Sequence, residues 1–440
     1  MPGPAFDRRD RAILALAVPA LGALVAEPLF LLADAAVVGR LGTVPLAGLG
    51  LAGTVLATVV GLCIFLAYST TGAVARRVGA GQPRAAVQQG IDGLWLALAL
   101  GVLLAATGAA GGHALLPAFG AGAEVVGQAD TYLRISLVGL PAMLTVLAAL
   151  GTLRGLQDTR TTLVVTVAAA GLNLVLAITF VLVLRWGIAG SAWATVTAQT
   201  GAALAFVGVL ARRARPVGAS WRPDLPGIRA VAGTGGPLFL RTIALRAVFV
   251  VAVAVAARLG PADLAVYHVG LQVWMLLALA LDALAIAAQA LVAAALGAGD
   301  AARVEADLRR LRQWGVASGV VLAVVVAALS PVIPVLFSRD PEVRHLMTLS
   351  LLVIALHEPI AGPVIVLDGV LIGAGDARWL AGAGLFVLVA FVPAAALVLV
   401  TSSSVVALWF ALLWFMVVRL VVLHWRANGD RWIRTGAVAP

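Results

Sequence analysis

The chain has 440 residues, of which 62% are hydrophobic and 11% charged, and its mean hydropathy is +1.07. A soluble domain carries roughly 25% charged residues, so this composition excludes an ordinary soluble protein and favours one surrounded by lipid. The formal net charge is +10. All basic residues are arginines scattered between apolar runs, which excludes a nucleic-acid-binding domain. A single cysteine, Cys63, excludes an internal disulfide or a thiolate metal cluster.

Apolar runs long enough to cross a bilayer follow one another along the chain. About 20 helical residues span the hydrocarbon core, and a helix satisfies its own backbone hydrogen bonds there. Three arginines precede the first run, as in a signal peptide, but the run is too long for one and contains Asp34, so we expect a retained first helix. Twelve spans are predicted, at 12–38, 46–74, 90–113, 128–153, 160–184, 188–211, 230–257, 263–295, 312–337, 344–372, 380–401 and 405–427.

The arginines outside the apolar runs predict the orientation of these spans. The termini and the even-numbered loops hold about 21 of them, and the opposite loops hold only 5. This positive-inside bias places both termini in the cytoplasm, and we expect a multi-pass protein of a bacterial inner membrane. The longest basic connector, 212–229, lies at the middle of the chain.

The two halves of the chain repeat one another at a single offset, with no gap needed. Arg40-Leu41-Gly42 corresponds to Arg258-Leu259-Gly260, and the pattern G-x-L-x-G-x-x-D-x-R that starts at Gly151 starts again at Gly369. A duplication predicts an N-terminal lobe, 1–211, a cytoplasmic linker, 212–229, and a C-terminal lobe, 230–440. Each lobe has six spans, so the repeats run parallel, an arrangement typical of transporters that work by alternating access.

Several stretches resemble the multidrug and toxic compound extrusion (MATE) family, in its DinF-like branch. They are EPLFLLADAAVVGRLG at 27–42, GTLRGLQDTR at 151–160, LDALAIAAQALVAAALGAGD at 281–300 and VLDGVLIGAGDARWL at 366–380. The resemblance implies an all-α membrane protein of twelve helices in two pseudo-symmetric six-helix lobes. It also implies a functional monomer that exports amphipathic, often cationic, small molecules in exchange for protons or sodium ions, with no other cofactor.

Charged residues inside the spans need a reason, because each costs at least about 2.5–3.5 kcal/mol at the bilayer centre. Glu27 and Asp34 lie in the first span, nearly two turns apart on one helix face. Asp34 matches the first-helix aspartate that the family uses for coupling. A carboxylate in a poorly hydrated pocket can take up a proton near neutral pH, which suits that role. The alternative is a hydrogen-bonded packing residue near the interface.

The fifth span carries Asn173, which matches the asparagine of the family's N-x-x-x-D pair. The aspartate position of that pair is Ala177 in this chain. The missing carboxylate makes a two-carboxylate sodium site less suitable and favours a proton site built from Asp34, Asn173 and hydroxyls such as Thr195 or Thr197. Glu27 is a candidate to replace the lost acid, and Asn173 as a helix-packing amide stays an alternative.

A second polar set lies in the spans of the C-terminal half. Arg241 and Asp282 lie at similar depths, so we expect an ion pair between them, extended to Glu358, because pairing neutralises charges in lipid. A structural network and a role in coupling or substrate binding are both open for this set, and His357 could titrate near neutrality. The full set is Arg241, Arg246, Asp282, Gln289, Glu358 and Asp368.

No enzymatic constellation is found in the sequence. The chain has no lysine and no P-loop pattern, which excludes ATP hydrolysis, and no nucleophile–base set or metal-ligand cluster occurs. The closest alternative to an exporter is a flippase of lipid-linked cell-envelope precursors, for which Arg241 and Arg246 would hold a pyrophosphate. The duplication disfavours a channel or a membrane-embedded enzyme.

Overall fold

Long helices form the chain in the computed structural model, which describes residues 7–401 and 404–437. Within those residues twelve segments are long and apolar enough to cross a membrane, so the predicted fold class is confirmed. The helices are α1 Arg8–Gly39, α2 Thr43–Leu62, α3 Phe65–Gly79, α4 Pro83–Leu115, α5 Ala123–Gly155, α6 Thr159–Ala177, α7 Ile188–Val217, α8 Leu225–Leu259, α9 Pro261–Gly297, α10 Ala301–Leu329, α11 Ile333–Phe337, α12 Pro341–Gly373, α13 Ala377–Thr401 and α14 Val405–Asn428.

Three spans differ locally from the prediction. The second is divided at Cys63 into α2 and α3, and the fifth ends in a π-helical segment, Ile178–Val183. The predicted ninth span, 312–337, is too long, because α10 ends at Leu329 and α11 is a separate short helix. Pro331 follows that end and has no backbone N–H to continue the helix.

Contacts divide the chain into two compact units. The first unit is Gly22–Gly235, and the second contains the described residues up to Leu21 and from Gly236 onward. This grouping differs from the predicted lobe boundaries at two places, because the start of α1 packs with the second half of the chain and the start of α8 packs with the first half. Helices α1 and α8 therefore each contribute to both units.

One central helix organises each unit. In the first unit α5 packs against α2, α3, α4 and α7, and in the second unit α12 packs against α9, α10 and α14. The two central helices correspond by position, because α5 runs from Ala123 to Gly155 and α12 runs from Pro341 to Gly373, at the same offset that relates Gly151 to Gly369. The starts of α2, α4 and α6 and those of α9, α10 and α13 show the same spacing.

Glycines at the ends of the two central helices permit close backbone approach. A Cβ atom on Gly373 would lie 2.4 Å from the carbonyl oxygen of Gln289 in α9. At the corresponding place in the first unit, a Cβ atom on Gly155 would lie 2.7 Å from the carbonyl oxygen of Thr71 in α3. Any larger residue at either position would have to separate the two helices, so these contacts help to set the helix spacing of each unit.

Candidate functional site

Asp34 lies on α1 in the first unit and is only 3% exposed. The Ser191 hydroxyl of α7 donates a hydrogen bond of 2.6 Å to its Oδ1 atom. The side chain of Tyr132, from the central helix α5, lies beside the Asp34 carboxylate and the Ser191 hydroxyl. Two helices thus bring polar side chains to one intramembrane carboxylate on a third, as the burial of a polar group in apolar surroundings requires.

A second polar pair lies next to the first. The Asn173 amide of α6 donates a hydrogen bond of 3.2 Å to the Thr195 hydroxyl of α7, and both side chains are buried. Thr195 follows Ser191 by one helical turn, and Tyr132 lies beside both hydroxyls. We refer to Asp34, Tyr132, Asn173, Ser191 and Thr195 as the Asp34 site.

Ala177 belongs to the apolar core beside this site. It is fully buried and packs in a cluster with Val37, Val181 and Ala194. The position of the family's second acid is thus filled by hydrocarbon, and the described neighbours of Asp34 are hydroxyl groups. The site carries a single carboxylate in the part of the chain that the structure describes.

Two predicted members of the site lie elsewhere. Thr197 is on α7 but exposed, so it does not share the buried face of Ser191 and Thr195. Glu27 is also exposed, and the charged group that acts on it is Arg154 at the end of α5. The structure therefore does not bring Glu27 into hydrogen-bond contact with Asp34 among the described interactions, and its proposed role as a replacement acid has no support from geometry.

Arg241 forms an ion pair with Asp368, a pairing that was not predicted from the sequence. Arg241 Nη2 lies 2.7 Å from Asp368 Oδ2, and Arg419 pairs with the same oxygen atom. Asp368 on α12 faces α8 and α14 at this place, whereas the predicted partner Asp282 is half-buried on α9. Depth alone does not determine which of several acids at a similar level shares a side of the bundle with Arg241.

The remaining members of the second polar set are spread over different surfaces. Arg246 is exposed, and Gln289 is buried at the α9–α12 contact. Glu358 is 1% exposed, and neither of its carboxylate oxygens has a hydrogen-bond partner among the described residues. Its chain neighbour His357 donates a hydrogen bond of 3.0 Å from Nε2 to the Trp409 carbonyl oxygen.

Three residues that contribute to these polar groups were not predicted from the sequence: Ser191, Tyr132 and Arg419. Ser191 could have been recognised, since it lies one helical turn before Thr195 on the same face of the sixth span. Tyr132 is one of only three tyrosines in the chain, and it lies within a span. Arg419 lies inside the last span, and its intramembrane charge is the signal that could have identified it.

Comparisons with known proteins agree with this architecture. The MatE family model matches residues 19–179 and 237–397, two stretches related by the same offset as Gly151 and Gly369. Protein DETOXIFICATION 44 of Arabidopsis thaliana is 31% identical over 97% of this chain and 83% of its own length. DNA damage-inducible protein F of Escherichia coli is 29% identical over 96% of this chain and 93% of its own length.

Solved structures share the fold at low sequence identity. A transporter of the MOP superfamily from Pyrococcus furiosus superposes with a TM-score of 0.87 at 23% identity, covering 95% of each chain. A Vibrio cholerae MATE transporter superposes with a TM-score of 0.87 at 19% identity, covering 96% of this chain and 98% of the other. Members of the matched family are transporters, so the prediction that the chain is not an enzyme is confirmed. This chain belongs to the MatE family of multidrug and toxic compound efflux transporters.

Proposed function

We propose that this transporter exports amphipathic, cationic small molecules in exchange for protons by alternating access, and that Asp34 is the proton carrier. The observation that carries the proposal is the Asp34 site, in which a single buried carboxylate accepts a hydrogen bond from Ser191. Asp34 is the single carboxylate of this site among the described residues, so the binding or release of one proton changes the charge of the Asp34 site.

The single carboxylate of the Asp34 site favours a proton over a sodium ion. Hard cations are held by several oxygen ligands that point their lone pairs at the metal. In the Asp34 site the Ser191 hydroxyl is already turned as a donor toward Asp34, and the Asn173 amide nitrogen is turned toward Thr195. With Ala177 in place of a second acid, the site offers a single negative charge to a bound cation.

Protonation changes what the neighbours of Asp34 can do. A charged carboxylate only accepts hydrogen bonds, so Ser191 can donate to it. A protonated carboxyl is itself a donor, and one nearby hydroxyl must then turn to accept from it. Because Asp34, Ser191 and Tyr132 belong to α1, α7 and α5, this exchange changes contacts between three helices. A proton that is bound more tightly in one conformation than in another shifts the balance between the two, which antiport requires.

Substrate affinity is expected to follow the charge of the same site. A cationic substrate is attracted by ionised Asp34 and is no longer attracted once the carboxyl is neutral, so proton binding and substrate binding oppose one another.

We further propose a bacterial plasma membrane location, cytoplasmic termini and a functional monomer. The orientation is supported by the excess of arginines in the terminal and even-numbered loops.

The alternative of a lipid-precursor flippase gains no support from the second unit. Arg241 is engaged by Asp368, and Arg246 is exposed and not joined to it in a phosphate-binding pair. A buried arginine that already has a carboxylate partner is a poor ligand for a pyrophosphate.

Proteoliposomes that contain the purified protein test the proposal. A fluorescent cationic substrate is loaded, and either a pH gradient or a sodium gradient is imposed. We expect the pH gradient alone to drive transport. Transport driven by sodium alone at equal pH on both sides would overturn the choice of ion, and transport of an anionic but not a cationic substrate would overturn the substrate class.

A further inference from the structure

A pocket of about 200 Å³ lies at the starts of α1 and α10 in the second unit. Its polar lining consists of Arg8, Arg9, Arg303 and Asp307, and its apolar lining consists of Ala12, Ile13 and Leu291. We refer to these seven residues as the arginine pocket. One water molecule takes roughly 30 Å³ of liquid volume, so the pocket has room for a group as large as phosphate.

Positive charge dominates the lining of the arginine pocket. Three guanidinium groups face a single carboxylate, Asp307, to which Arg9 and Arg303 are joined at 3.3 and 3.5 Å through their Nε atoms. The side chain of Arg8 forms no hydrogen bond or ion pair with any residue in the described part of the chain. Two further acids lie nearby, and Asp7 and Asp300 accept hydrogen bonds from the backbone N–H groups of Arg8 and Arg303 at the helix starts. The Oδ2 atom of Asp7 also lies 3.5 Å from Nη1 of Arg9.

These ion pairs are not needed to hold α1 in place. The side chains of Arg9 and Arg303 are 46% and 50% exposed and that of Asp307 is 8% exposed, so solvent screens both pairs on the arginine side. The attachment of α1 is provided next to the pocket by Asp10, a buried residue. Asp10 accepts hydrogen bonds of 2.6 and 2.7 Å from Arg310 and one of 2.8 Å from Trp314.

The position of the arginine pocket points to the ligand. Helices α1 and α10 have 32 and 29 residues. At 1.5 Å per residue both exceed the hydrocarbon core of roughly 30 Å, so their first turns lie among the lipid head groups. The predicted orientation puts these turns at the cytoplasmic leaflet, where anionic phospholipids attract basic segments. Planar guanidinium groups bind phosphate oxygens in pairs, which suits three converging arginines.

We propose that the arginine pocket binds a phosphate group of an anionic phospholipid of the cytoplasmic leaflet. The phosphate would lie between Arg8, Arg9 and Arg303, and the apolar side chains of Ile13 and Leu291 would form the floor on the membrane side. Such a lipid would join α1, the helix that carries Asp34, to α10. Free phosphate offers the same chemistry, and the experiment separates the two sources.

Native mass spectrometry of the full chain measures this binding directly. The protein is released from nanodiscs of phosphatidylcholine to which phosphatidylglycerol is added in steps. We expect a tightly bound phosphatidylglycerol whose binding is weakened about 25-fold by the double substitution Arg8→Gln and Arg303→Gln, at roughly fivefold for each arginine. The matched control is Arg160→Gln with Arg309→Gln, which removes the same charge from exposed positions outside the pocket and should change binding by less than about twofold.

A substitution that fills the arginine pocket tests the proposed lipid binding without changing the charge of the pocket. Ala12→Trp places an indole in the pocket and keeps all three arginines, and we expect it to weaken lipid binding as strongly as the double substitution. Equal losses of phosphatidylglycerol binding in the double variant and its control, or full binding by the Ala12→Trp variant, would overturn the proposal. Either result would mean that the lipid is held by a general attraction to basic residues and not by the arginine pocket. Inorganic phosphate that binds without competition from phosphatidylglycerol would overturn the lipid as the source.

Discussion

Ser191 on α7 donates a hydrogen bond of 2.6 Å to Asp34 on α1, across 157 positions of the chain. The bond joins α7 of the first unit to α1, one of the two helices whose residues are divided between the units. A change in the charge of Asp34 acts first on this bond, so the proposed coupling depends on it.

Replacement of Ser191 by alanine should shift the pH dependence of transport. The hydroxyl stabilises the ionised form of Asp34, and a hydrogen bond to a charged group contributes roughly 1.5–3 kcal/mol. Without it the neutral form persists to higher pH, so the transport profile should move by roughly one to two pH units in the alkaline direction. Substrate efflux at a series of pH values measures the shift. Thr197→Ala removes an exposed hydroxyl from the same helix and should leave the profile unchanged.

Introduction of an acid at Ala177 should destabilise the first unit. The residue is fully buried against Val37, Val181 and Ala194, so Ala177→Asp would place a carboxylate among hydrocarbon groups. A charge inside the membrane costs at least about 2.5–3.5 kcal/mol. Thermal unfolding of the detergent-solubilised protein should occur at a clearly lower temperature, and Ala177→Ser should cost much less. An Ala177→Asp variant as stable as the wild type would show that a polar environment exists there.

Removal of the Asp368 carboxylate should be strongly destabilising. Asp368→Asn would remove the carboxylate that both Arg241 and Arg419 contact. Loss of one member of a buried ion pair typically costs about 3–5 kcal/mol. We expect a large loss of folded protein in size-exclusion chromatography after mild heating. Arg246→Gln changes an exposed arginine of α8 and is the control, because it should have little effect on the same measurement.

Substitution of Gly373 should disturb the spacing of α9 and α12. A Cβ atom at this position would lie 2.4 Å from the Gln289 carbonyl oxygen, a backbone atom that cannot rotate away. Gly373→Ala is therefore expected to lower thermal stability, although alanine is the better helix former. Gly382→Ala on α13 meets no atom within 4 Å and should be neutral or slightly stabilising. Equal behaviour of the two variants would contradict the close approach.

The sequence predicted the fold well because each span carries its own signal. Twelve apolar runs define twelve helices regardless of their neighbours, and the pattern shared by Gly151 and Gly369 relates the halves without any structure. Side-chain partners depend instead on which helix faces which. Spacing along single spans therefore does not predict the contact of Arg241 with Asp368, and it misses Ser191 although it finds Asp34.

The start of α1 shows the same difference between local and long-range information. Its apolar run predicts a helix in the first lobe, and the helix is present. Its first residues nevertheless pack with the second unit, where Asp10 meets Arg310, 300 positions later. Nothing in the spacing of one span predicts a partner at that distance.

Export driven by a pH gradient in proteoliposomes, compared between Asp34→Asn and Glu358→Gln, decides whether Asp34 is the proton carrier. Both substitutions remove the charge of a buried intramembrane acid with little change of shape. We expect Asp34→Asn to abolish proton-driven export while the protein remains folded, and Glu358→Gln to keep it. Retained export in Asp34→Asn together with its loss in Glu358→Gln would contradict this role and move the coupling site to the second unit.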